Sequence, residues 1–214
     1  MKLQYIANET DACKELKVIL KKKLFISNVL LLKLKQTKSI YVNGITSYVS
    51  YLLKKGDKIT VDFDNMNSIL SKSTVKFSDK FALNFEKFDI LYEDDYLLIV
   101  NKPAMIASHP SSSHYEHTLS NMVASYLETQ RIYTIHIVTR LDKDTSGVCI
   151  FAKNEYIQEL FVRKKEEINL KKEYIAVVNG IIEEDSGIIE KPIKRKEGSI
   201  ITRTVSEDRR LCKN

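Results

Sequence analysis

The residues of this chain that could do covalent chemistry stand together in the run Ile137-Val138-Thr139-Arg140-Leu141-Asp142-Lys143-Asp144-Thr145-Ser146-Gly147-Val148-Cys149-Ile150-Phe151-Ala152-Lys153-Asn154. A charged stretch leads into an apolar one, the pattern of a loop delivered onto a strand. Asp142 is an ionised carboxylate able to act as a nucleophile. Arg140 stands two residues earlier and, like Asp142, could be a plain turn residue. Asp142 beside Thr145, Ser146 and Gly147 also has an ordinary reading, as a turn residue accepting local hydrogen bonds, and spacing alone does not choose between the two. Asp142 and Asp144 together would be the carboxylate pair of a sugar-cleaving hydrolase, but neighbouring loop carboxylates are usually solvated and nothing else here points to a glycan. His109, His114 and His117 are close in sequence, yet no cysteine or carboxylate completes a metal-ligand spacing, so no metal is expected. Cys13, Cys149 and Cys212 show no C-x-x-C spacing, which argues against a disulfide framework or a zinc knuckle.

The elements that must position this run are legible on both sides of it. Upstream, Asp89 to Val100 reads as two apolar strands around an acidic turn and enters Asn101-Lys102-Pro103 directly. After Ser108-His109-Pro110, the segment from Thr118 to Leu127 has the apolar spacing of an amphipathic helix capped near Thr118. Residues 64–87 are rich in Ser, Asn, Lys and Asp and read as a linker. Before them, apolar residues fall at helical spacing from Asp11 to Leu24 and from Ser27 to Lys38, with Ser27 placed as a cap. Ser39 to Val42 alternates into Asn43-Gly44, a hairpin turn signal, and Lys58 to Phe63 alternates again. The expected class is α+β: a small helical and stranded module over 1–63, then a mixed, mainly antiparallel sheet with helices on its faces over 88–214.

Charge says which partner the first module suits. The 214 residues carry a net charge of +6, and residues 1–63 hold twelve lysines against five acidic residues, so the whole basic excess lies there. A local positive field draws polyphosphate by counterion release, making nucleic acid the leading partner over a merely solvated lysine-rich face. The longest apolar runs, such as Val29 to Leu32, fall far short of the roughly 20 residues that a membrane-spanning helix needs. Asn8, Glu9 and Asp11 interrupt any secretory signal, so no membrane association and a cytoplasmic, monomeric protein are expected.

Two resemblances sharpen this reading. Ile40-Tyr41-Val42-Asn43-Gly44 with Lys55-Gly56-Asp57-Lys58-Ile59 resembles the small RNA-binding domain named after the fourth protein of the ribosomal small subunit. That resemblance implies that Lys33, Lys35 and Lys38 contact RNA phosphates, setting affinity more than sequence choice. Asn28 stands where that family usually presents an arginine. The Arg140-Leu141-Asp142 loop is similar to that of the ribosomal large-subunit (RluA-type) pseudouridine synthases. Tyr92-Glu93-Asp94, Asn101-Lys102-Pro103, His109-Pro110, Thr118-Leu119 and Lys172-Glu173-Tyr174-Ile175-Ala176-Val177-Val178-Asn179-Gly180 follow that family's landmarks in order.

The second resemblance implies an RNA pseudouridine synthase that flips a uridine out of its stack, at a cost of a few kcal/mol. Arg140 would fill the vacated space, Asp142 would attack covalently, and Tyr174 would stack on the uracil and help remove its carbon-five proton; the plain alternative for Tyr174 is a core aromatic in a strand. Ribosomal RNA is the expected substrate, with transfer RNA as the alternative, and no cofactor is expected. Thr139 stands where the family usually has histidine. Thr202 to Asp208 resembles a stretch from the middle of that family's catalytic domain, which implies that its second half, including a basic partner for the aspartate, is absent. The competing expectation is therefore a truncated, catalytically inactive RNA-binding protein.

Overall fold

The computed structural model describes residues 1–70, 88–110, 117–130, 132, 135–199 and 202–206. Two compact units divide the chain, Met1–Leu170 and Lys171–Asn214. The first begins with β1 (Lys2–Ile6), a 3-10 turn, α1 (Leu16–Lys22), α2 (Asn28–Gln36), β2 (Ile40–Val42), β3 (Ile45–Thr46) and β4 (Lys58–Asp62). The four strands form a sheet in the order β1-β4-β2-β3, every pairing antiparallel. Asn43 and Gly44 adopt φ of +51° and +82°, the left-handed conformations that a two-residue hairpin turn demands. Ser27 caps α2 as expected, its hydroxyl accepting from Leu30 N–H at 3.0 Å.

The first expected helix is shorter than its apolar spacing implies. Residues 13–17 direct their backbone elsewhere: Cys13 N–H donates to Leu53 O, Leu16 N–H to Tyr51 O and Lys17 N–H to Val49 O. Cys13 takes a φ of +62°, which no helix continues through. The 64–70 stretch, expected to open a linker, belongs to α3 (Phe63–Leu70); the remainder of that linker, 71–87, lies outside the described residues.

A second sheet follows, built from β5 (Asp89–Glu93), β6 (Leu97–Lys102), β7 (His136–Ile137) and β8 (Gly147–Ala152) in the order β5-β6-β8-β7, again antiparallel throughout. The turn between β5 and β6 is closed by Asp94, whose carboxylate accepts from Tyr96 N–H and Leu97 N–H, both at 2.7 Å. Across the sheet lies α4 (Leu119–Thr129), started by Thr118 and Asn121 in a reciprocal capping box. Leu98, Val100, Leu119, Val123, Leu127, Cys149 and Phe151 make the core between them. Glu93 ties α4 to the sheet, accepting from Tyr126 OH at 2.6 Å and from Lys153 Nζ at 2.8 Å.

One helix belongs to both halves of this unit. α5 (Glu155–Arg163) follows β8 directly, and its Tyr156 is buried in the core of the N-terminal module, stacked on Phe63 with ring centroids 5.0 Å apart. Glu155 pairs with Lys33 at 2.6 Å, Glu159 accepts from Ser27 N–H at 3.2 Å, and Gln158 donates to Ile137 O at 2.8 Å. The unit then ends through α6 (Lys165–Ile168).

Within the second unit, β9 (Ile193–Arg195) and β10 (Arg203–Val205) form an antiparallel pair. Residues 171–178 form no strand, and Ile175 and Val177 are fully exposed.

Two stability predictions follow from these contacts. Tyr156→Ala removes a buried ring of the N-terminal core, stacked on Phe63, and should lower unfolding free energy by about 3–5 kcal/mol in urea titrations. Asp11 is fully buried; burial raises its carboxyl, but hydrogen bonds from Lys23, Tyr5 OH and Asn8 N–H outweigh this and hold it at about 2 against an ordinary 3.8. A depressed folded value means that its stabilisation is complete above the unfolded value and disappears as pH falls toward 2. The midpoint of thermal unfolding, followed from pH 5 to pH 2, should therefore fall more steeply in the parent than in Asp11→Asn.

Candidate functional site

The site is assembled at the end of β6. Leu98 and Val100 face the core with period two, and the next inward position is Lys102, which is completely buried. A buried ammonium is tolerated only when its donors are used. Lys102 Nζ donates to Ile106 O at 2.7 Å, Pro103 O at 2.9 Å and Lys143 O at 2.9 Å, so all three are used. Burial pushes this ammonium below its ordinary value, against the pull of Cys149, Asp144 and Asp142. The Cys149 thiol beside it is pushed up by burial.

The Asp142 loop lies over this charge and is tied along its length. Val138 N–H donates to Ile150 O at 2.8 Å, and Ile150 N–H donates to the Thr139 hydroxyl at 2.9 Å, sealing the entry of the loop onto β8. Ser108 Oγ donates to Leu141 O at 2.5 Å and accepts from Leu141 N–H at 3.1 Å. Thr145 N–H donates to Asp142 O at 3.2 Å. Gly147 ends the loop with a φ of +127°, a conformation that any side chain would strain. Arg140 and Asp142 are both exposed on this loop. Among the described residues, no hydrogen bond or ion pair engages the Asp142 carboxylate.

The lysines expected to contact RNA lie on or just after α2. Lys33, on α2, is committed to Glu155, whereas Lys35 and Lys38 are exposed. Near that ion pair, burial pushes the His136 imidazole below its ordinary value, against the pull of Glu155. Tyr174 is in the second unit, 62% exposed, and so is not a core aromatic in a strand. His109 and His117 are exposed, His114 and Cys212 lie outside the described residues, and among those described no three His, Cys, Asp or Glu side chains are grouped to hold a metal. No helix among them is long and apolar enough to cross a membrane. Ser108 and the buried role of Lys102 were not singled out by residue type; a lysine at the apolar parity of a strand was the available signal for the second.

Comparison with known proteins gives the family of this chain. The family described as RNA pseudouridylate synthase matches residues 96–213. The uncharacterized RNA pseudouridine synthase YjbO of Bacillus subtilis (strain 168) is 33% identical over 170 residues, 79% of this chain and 57% of its own length. YhcT of the same organism is 30% identical over 208 residues, 95% of this chain and 65% of its own. The ribosomal large subunit pseudouridine synthase D of Neisseria meningitidis serogroup B is 43% identical over 108 residues, 50% of this chain and 29% of its own. Among solved structures, human RNA pseudouridylate synthase domain containing 1 aligns with a TM-score of 0.46 and 24% identity, over 60% of this chain and 48% of that one. The chain belongs to the RNA pseudouridylate synthase family. It spans 57% and 65% of the lengths of the two Bacillus relatives.

Thr139 bears on how the loop is held. Thr139→Val keeps the shape but leaves Ile150 N–H without its acceptor, so it should cost about 1–3 kcal/mol in chemical denaturation. Thr139→Ser, which keeps the hydroxyl, should cost less.

Proposed function

We infer that this chain isomerises uridine in RNA to pseudouridine, with Asp142 as the nucleophile. The observation that carries the reading is an exposed carboxylate on a loop tied down on both sides, in a chain whose family acts on RNA uridine. Once the uridine is unstacked, the carboxylate adds to the ribose or to the uracil ring. The bond between N1 and the sugar breaks, the uracil turns, carbon five bonds to the sugar in its place, and the bond to Asp142 breaks to return the free carboxylate. Carbon five gives up its proton and N1 gains one, so atoms balance with no electrons transferred and no group added. Nothing in that sum calls for a cofactor.

Arg140, exposed two residues from Asp142, is the group for the space that the flipped base vacates. Tyr174 is assigned to stack on the uracil and assist removal of the proton, on the strength of the ordered landmarks alone. The N-terminal module, of the type named after the fourth small-subunit protein, holds the RNA backbone. Lys35 and Lys38 are exposed there and have no ion-pair partner among the described residues, while a phosphate at Lys33 would compete with Glu155. Ribosomal RNA is the favoured substrate, supported by relatives named as ribosomal large subunit pseudouridine synthases C and D, with transfer RNA as the alternative. In this reading the protein works as a cytoplasmic monomer.

Two outcomes test these assignments. Ribosomal RNA labelled with tritium at carbon five of uridine should release label to water with the parent chain, and Asp142→Asn should reduce release to background while still binding RNA. Release by the Asn variant at the parent's rate would remove Asp142 from the mechanism. Replacing Lys35 and Lys38 together by Ala should lower the slope of log affinity against log salt by about 1.5–2, as expected for the loss of two phosphate contacts.

A further inference from the structure

The geometry points to Ser108 as a positioning residue: its hydroxyl, anchored by the first turn of α4, sets the peptide plane that aims Asp142. This inference rests on Asp142 being the nucleophile. The direction in which a side chain leaves the backbone is fixed once the peptide planes on either side of its Cα are fixed. The plane before Asp142 carries Leu141 O, which accepts from Ser108 Oγ at 2.5 Å. The plane after it carries Asp142 O, which accepts from Thr145 N–H. The next plane carries Lys143 O, held by Lys102 Nζ. Three consecutive planes therefore each have a tether, and Ser108 supplies the one that precedes Asp142.

Ser108 also accepts from Leu141 N–H at 3.1 Å, so one hydroxyl engages both planes around Leu141. That makes it a two-point clamp, which resists rotation where a single hydrogen bond would allow it. The serine in turn is held from behind. Its carbonyl accepts from Ser120 Oγ at 2.8 Å and from Ser120 N–H at 3.2 Å, and Leu119 N–H donates to Ala107 O at 2.9 Å. Ser108 is 5% exposed, so water does not readily replace its hydroxyl at Leu141. The path from α4 through Ser108 to Leu141 thus transfers the rigidity of a packed helix to a carboxylate that is itself in solvent. A reacting group displaced by about 1 Å can lose on the order of a hundredfold in rate.

The test uses the full chain, Ser108→Ala and Ser108→Thr, with two readouts. Amide hydrogen exchange over residues 139–147 should be about tenfold faster in Ser108→Ala, with exchange in α4 unchanged, the factor expected for one lost net hydrogen bond. Tritium release should show kcat lowered 10- to 100-fold with KM and RNA affinity unaltered, and Ser108→Thr, which restores the hydroxyl, should recover most of it. Loop exchange that does not change in Ser108→Ala, or a rate loss matched by equal loosening of α4, would overturn the inference. Absence of release from the parent chain, with the exchange difference present, would sink the synthase reading but leave the clamp established.

Discussion

A positive charge buried under a loop governs this structure. Lys102 occupies a core-facing position of β6, where an apolar residue would cost nothing, and it is tolerated because three carbonyl oxygens surround its ammonium. Two of those carbonyls come from the turn just after the strand and the third from Lys143, some forty residues later. The connection to α4 and the Asp142 loop are thereby folded around one cation. The loop's ends are set by β7 and β8 and its floor by this charge, so a segment that would otherwise be free in solvent has a defined path.

The N-terminal module is joined to the second sheet by more than its chain connection. Tyr156 completes the module's core, while the same helix donates through Gln158 to β7. The lysines on and just after α2 divide accordingly: Lys33 serves the junction through Glu155, and Lys35 and Lys38 remain in solvent. A basic residue type does not announce which of these uses it has. Pairing with a carboxylate across the junction is decided by tertiary packing.

What was legible in the sequence was local. Asn43-Gly44, Ser27 and Thr118 were readable because turn and cap geometry act over two or three residues. The Asp142 loop and the strand after it were readable for the same reason. The strand Lys2–Ile6 was not, since it exists only by pairing with Lys58–Asp62. The diversion of residues 13–17 toward 49–53 is equally non-local, and it overrode helical spacing. The burial of Lys102 and the docking of Tyr156 depend on contacts that residue type alone does not reveal. Tyr174 to Val178 has strand-like composition, yet among the described residues no strand pairs with it, and Ile175 and Val177 are exposed.

The sharing of α5 has a thermodynamic consequence. Tyr156 of α5 completes the N-terminal core while Gln158 of the same helix is bonded to β7, so the helix cannot melt away from one without disturbing the other, and the N-terminal module and the sheet beneath Asp142 are coupled in unfolding. A ligand that bound only the folded module would therefore add to the stability of the sheet and its loop as well, at a distance and without touching them.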